Sequence, residues 1–116
     1  MRDDRFYVLH VLECIDRIEK YSTSGAGTFH SDTLIQDGVI RNLQVLAEST
    51  TRISDATKAR WTRVAWRDIA GFRNVVVHDY LGLDLERIWD IVSVNLPILK
   101  QQMELIRQTI ECEPES

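Results

Sequence analysis

The chain has 116 residues, 28% of them charged and 44% hydrophobic, with a formal net charge of −4. That is enough apolar material for one modest core, and it excludes a disordered chain. The acidic balance argues against a strongly basic nucleic-acid binder, and with no long uncharged apolar run no membrane span is expected.

The charge is unevenly spread. Between Arg52 and Arg73 six cations face two acids, whereas from Asp84 onward seven acids face three cations. The middle of the chain is therefore basic and its C-terminal part acidic, a pattern that also fits a solvated helix face. Met1-Arg2-Asp3-Asp4-Arg5 lacks the purely apolar stretch of a signal peptide, so a cytoplasmic location is expected. Cys14 and Cys112 are too few and too far apart for a disulfide framework or a metal site.

Residues 4–22 carry Val8, Val11, Leu12, Ile15 and Ile18 at the spacing of a helix with one buried stripe. The small residues from Ser22 to Gly27 end it, and Thr23 to Phe29 reads as a loop. A second helix is expected from Ser31 or Asp32, either of which can cap it, with Ile35, Val39, Leu43, Leu46, Thr50 and Ile53 on one face. Asn42 sits on the edge of that stripe, as a satisfied core amide or a secondary site candidate.

Ser54-Asp55 offers a break and a new cap. Trp61 to Tyr80 is less regular. Trp66, Ile69, Ala70 and Phe72 predict a short buried helix that Gly71 interrupts. Val75-Val76-Val77 is a β-branched run with poor helix propensity, but no second strand exists to pair with it. Asp84 opens a further helix bearing Leu85, Ile88, Trp89 and Val92. Asn95-Leu96-Pro97 reads as a reset, with Asn95 as cap and Pro97 in the first turn. Leu96, Leu99, Met103, Ile106 and Ile110 then form a bundle seam. Residues 111–116 read as a frayed tail. The expectation is a single all-α domain over 1–116, an up-and-down bundle of four to five helices.

Chemistry concentrates in Arg73-Asn74-Val75-Val76-Val77-His78-Asp79-Tyr80. Arg73 offers a fixed planar cation that fits phosphate oxygens, and His78 can move a proton at cellular pH. Either could equally be structural. No metal or other cofactor is expected, because His10 and His30 lie far off without ligand spacing. Five residues turn a straight helix by about 140°, so Arg73 and His78 would diverge. Either the helix ends between them or the site draws on two chains. Metal-free phosphodiester cleavage needs proton transfer at two oxygens plus charge stabilisation, which a symmetric homodimer with two Arg73/His78 sets would supply. Phe72, Val76 and Trp89 look like surplus apolar surface for such an interface.

The pattern Arg, four residues, His, one residue, Tyr resembles the signature of HEPN domains of the HepT toxin family. Asp37 to Glu48, the Trp66 to Arg73 string, and Val77 to Tyr80 followed by Gly82, Asp84, Leu85 and Trp89 extend the resemblance through Leu99. The resemblance implies a metal-independent ribonuclease working as a homodimer, the toxin of a type VII-like toxin–antitoxin system. His78 would be general acid or base, Arg73 the phosphate stabiliser, and Tyr80 the residue AMPylated by a minimal (MNT-type) nucleotidyltransferase antitoxin. Asn74 and Asp79 are secondary candidates. The rival readings are a non-catalytic nucleotide-binding module that partners a nucleotidyltransferase, and a purely structural dimer module.

Overall fold

The N-terminal apolar stripe builds α1, Arg2–Tyr21, in the computed structural model. The structure describes the backbone of residues 2–82 and 84–113, and the side chains of residues 3–74 and 84–113. Among the described residues six further α-helices follow: α2 (Gly25–Ser31), α3 (Thr33–Thr51), α4 (Asp55–Arg60), α5 (Trp66–Gly82), α6 (Leu85–Asp90) and α7 (Leu96–Cys112). A π-helical turn, Ile91–Asn95, joins α6 to α7. There is no strand among the described residues, so the all-α reading holds, and Val75 to Val77 lie in helical backbone. The four long helices α1, α3, α5 and α7 are the bundle; the short ones occupy its connections.

The core follows the stripes. Val8, Val11, Ile15 and Ile18 of α1 are buried against Val39, Leu43 and Leu46 of α3 and against Leu96, Leu99, Met103 and Ile106 of α7. α3 also packs on α5, through which Ile69 and Phe72 enter the same core. Burying such side chains contributes about 1.5–3 kcal/mol each, which outweighs the poor intrinsic propensity of an α5 rich in β-branched residues.

Side-chain oxygens cap the helices where the sequence offers them. Asp32 accepts from the Leu34 and Ile35 amides at 2.9 and 3.3 Å, Ser54 from Thr57 at 3.2 Å, and Asp84 from Arg87 at 3.2 Å. Each satisfies an N-terminal donor that has no partner within its helix. Asp4 ties α1 to the start of α4: its buried carboxylate accepts from the Ser54 amide at 2.8 Å, the Ser54 hydroxyl at 2.6 Å and the Thr57 hydroxyl. Burial pushes the Asp4 carboxyl up, but the hydrogen bonds from Ser54 and Thr57 outweigh it and leave its pKa below the ordinary 3.8.

Five expectations change. Residues 25–31 are helical, so the expected loop shrinks to a turn whose exit, Gly25, has φ +87°, a conformation that favours glycine. Gly71 does not interrupt α5, because the cost of an interior glycine, about 1 kcal/mol, is small beside the burial of Ile69 and Phe72 around it. Asn95 does not cap a new helix; its backbone is helical, its side chain makes no capping bond, and the chain passes through the π-helical turn without a break. Phe72 is buried and Trp89 stacks on Phe29 with ring centroids 5.2 Å apart, so this chain's own core claims both. At the C-terminus, α7 reaches Cys112 and Glu113 pairs with Arg60 at 2.6 Å, inside the segment expected to fray.

Candidate functional site

Arg73 is held by the helix that the core anchors. Phe72, one position earlier, points inward, and each residue turns a helix by about 100°, so Arg73 emerges toward solvent beside α3. There its Nη1 lies 3.0 Å from Oε1 of Glu48, with the two side chains 62% and 50% exposed. The start of α5 is fixed locally: the Trp66 indole donates to the Trp61 carbonyl at 3.0 Å, and the Lys58 ammonium lies 5.9 Å from the Trp66 ring centroid.

Arg73 lines an open groove of about 480 Å³ between α1, α3 and α5. α1 contributes Phe6, Tyr7 and His10, which follow helical spacing. α3 contributes Arg41, Gln44, Val45, Glu48 and Ser49, and Arg52 caps its end. Among the described residues three guanidiniums thus face one carboxylate. Among the described residues neither Arg41 nor Arg52 has an acidic partner. His10 Nδ1 lies 2.8 Å from the hydroxyl of buried Ser49, which fixes the ring at the groove floor. A smaller hollow of about 210 Å³ on the other side of Arg73 is lined by Ala47, Thr51 and Ala70 as well as Glu48 and Arg52.

The other sequence candidates fall as follows. Asn74 is exposed, next to Arg73. Asn42 is buried, and its amide donates to the Gly38 carbonyl at 2.8 Å within α3. That spot is tightly packed: a β-carbon on Gly38 would stand 3.0 Å from the Tyr21 ring. His78, Asp79 and Tyr80 belong to the helical backbone of α5, but their side chains lie outside the described residues. Because α5 runs unbroken through His78, the helix does not end between Arg73 and His78. His10, Arg41, Arg52 and Phe6 were missed by the sequence reading. The one available signal was the spacing of Arg41, Glu48 and Arg52, which places them on one side of a helix.

Among the described residues no group of three or more His, Cys, Asp or Glu is arranged to hold a metal ion, and no helix is long and apolar enough to cross a membrane.

Residues 11–106 match the family model described as Ribonuclease HepT-like. The chain belongs to the HepT-like ribonuclease family. A Thermococcus cleftensis protein named probable ribonuclease HepT is 29% identical over 92% of this chain and 98% of its own length. The mRNA nuclease HepT of Shewanella oneidensis is 26% identical, covering 84% of this chain and 90% of its own. A Methanocaldococcus jannaschii protein named "Gamma-glutamylcyclotransferase and putative RNase" is 26% identical over 95% of this chain. The chain spans half the length of that relative. No solved structure gives a significant match. Family membership places ribonuclease chemistry at the level of the family, and the motif from Arg73 to Tyr80 falls inside the matched span.

Proposed function

We propose that this chain is the toxin of a type VII-like toxin–antitoxin pair: a metal-independent ribonuclease that cuts RNA at a homodimer interface and is silenced when a partner nucleotidyltransferase AMPylates Tyr80. The observation that carries this reading is Arg73. In a HepT-like chain its guanidinium stands exposed in a cationic groove, where a phosphate would displace the exposed Glu48 carboxylate. The continuity of α5 lends support to a site built from two chains, since one undistorted helix separates the Arg73 and His78 positions by about 140°.

In this reading the RNA 2′-oxygen forms a bond to the adjacent phosphorus, and the bond from phosphorus to the 5′-oxygen breaks, leaving a cyclic phosphate. One His78 takes the proton from the 2′-hydroxyl. The second protomer's His78 returns a proton to the departing 5′-oxygen. Arg73 offsets the charge that builds on the phosphoryl oxygens. DNA, which lacks the 2′-hydroxyl, resists.

The test is cleavage of RNA by the purified chain. His78→Ala and Arg73→Ala should each lower the rate by about 10² or more, and a chelator should leave it unchanged. Cleavage that chelator abolishes and magnesium restores would overturn the mechanism, and a monomer by light scattering with full activity would overturn the shared site.

A further inference from the structure

The groove extends well beyond Arg73, and its lining has a use that a single phosphate does not exhaust. Arg41 and Arg52 are both exposed and lack acidic partners among the described residues. They lie eleven residues apart on α3, about 16 Å along the axis at 1.5 Å per residue. They therefore address successive points of an extended ligand rather than one anion. With Arg73 and Glu48 the described lining carries three cations and one acid, although the chain as a whole has a net charge of −4. Positive charge is thus gathered at this groove against the overall balance.

The α1 wall adds a different chemistry. Phe6 is 65% exposed, so its ring is open to a ligand in the groove. Tyr7 braces it edge-on at 5.2 Å, and the His10 ring lies 6.2 Å away at an interplanar angle of 33°. Gln44 supplies an amide with both donor and acceptor between the aromatic wall and the cations. Cations that follow a backbone, beside an exposed aromatic face, are the features by which proteins hold single-stranded nucleic acid. An acidic polypeptide would use the cations but would leave the Phe6 ring without a role.

We propose that a single-stranded RNA segment lies in the groove between α1, α3 and α5, with phosphates against Arg41 and Arg52 and a base stacked on Phe6. This rests on the ribonuclease reading for the identity of the ligand, and it assigns the residues that hold the strand beside the cleaved bond. Phe6, Arg41 and Arg52 are positioning residues in this scheme.

The experiment measures fluorescence anisotropy of a labelled 2′-O-methyl oligoribonucleotide, which cannot be cleaved through its 2′-oxygen, binding to the full chain. Phe6→Ala should weaken binding about 5-fold or more, the loss of one base–aromatic stack. Arg41→Gln and Arg52→Gln should each weaken it and reduce the slope of log affinity against log salt by about 0.7. All three side chains are exposed, so circular dichroism should stay unchanged. In cleavage assays these variants should raise KM more than they lower kcat, unlike Arg73→Ala. Unchanged affinity and salt slope in both arginine variants would overturn the proposal. Displacement of the oligonucleotide by poly-glutamate as readily as by unlabelled RNA would also overturn it, by marking a surface for an acidic protein. Groove-dependent binding without any cleavage would sustain the RNA track while refuting the nuclease, and cleavage with silent groove variants would do the reverse.

Discussion

Arg73 of α5 and Glu48 of α3 form an ion pair at 3.0 Å that is open to solvent on both sides. Exposed pairs of this kind contribute about 0–1 kcal/mol, so the contact holds the guanidinium in place without committing it. Glu48→Gln should leave the unfolding midpoint almost unmoved and tighten RNA binding by up to about 5-fold, because a phosphate no longer displaces a carboxylate. Titration of the uncleavable oligonucleotide against both proteins at low salt checks this. Weaker binding by the variant would mean that Glu48 orients Arg73 rather than competing for it.

Tyr80→Phe keeps the aromatic ring and removes the acceptor oxygen. The proposed silencing has the phenol oxygen attack the α-phosphorus of ATP, with pyrophosphate leaving and the phenolic proton lost. The attached phosphate would compete with RNA for Arg73 and repel its backbone. The Phe variant should stay folded, cleave RNA, and escape inactivation by the nucleotidyltransferase. Intact mass after incubation with partner and ATP should gain AMP in the parent chain only. Continued modification of the variant would place the acceptor elsewhere.

Asp4→Asn should destabilise the fold by about 2 kcal/mol at neutral pH, because charge-assisted bonds to Ser54 and Thr57 are lost. The pH dependence has a definite sign. The folded-state pKa of Asp4 lies below its ordinary value of 3.8, so its contribution is complete above that value and is lost as pH falls through the folded pKa. Urea midpoints of the two proteins should differ by a constant amount between pH 5 and 8. They should converge below about pH 4. A gap that widened in acid would contradict the assignment.

Gly71→Ala should stabilise the chain by roughly 0.5–1 kcal/mol. Gly71 lies inside α5, and among the described residues a β-carbon there would meet nothing within 4 Å beyond the helix's own backbone. Thermal melts read the gain directly. If stability rises in the isolated chain but the dimer dissociates more readily, the open space beside Gly71 belongs to the partner subunit.

The contrast between Ile69 and Asn95 shows what the sequence could and could not convey. Apolar spacing located α1, α3 and α7 but gave only the first part of α5, because burial of one stripe is the dominant energy and leaves a periodic trace. Gly71 and Asn95 misled for the same reason: their local preferences amount to about 1 kcal/mol, and packing of neighbours such as Phe72 and Leu96 outvotes them. The short helix after Gly25 left no trace, since only Phe29 of its seven residues is buried. Arg73 was legible as part of a compact motif. The groove beside it was not, because Phe6, Arg41 and Arg73 are distant in sequence and come together only when α1, α3 and α5 pack.

The π-helical turn at Ile91–Asn95 has a consequence for how this chain tolerates change in its length. A turn of this kind accommodates one residue more than an ordinary helical turn, and each residue sets the phase of everything after it by about 100°. It is this phase that brings Leu96, Leu99, Met103 and Ile106 to the interior while Val94, Ile98 and Leu105 face outward. Deleting one residue between 91 and 95 would turn the π-helical turn into an ordinary one and leave the interior set of α7 facing α1. A one-codon deletion in this stretch is therefore absorbed locally, whereas the same deletion inside α7 turns everything beyond it by about 100°.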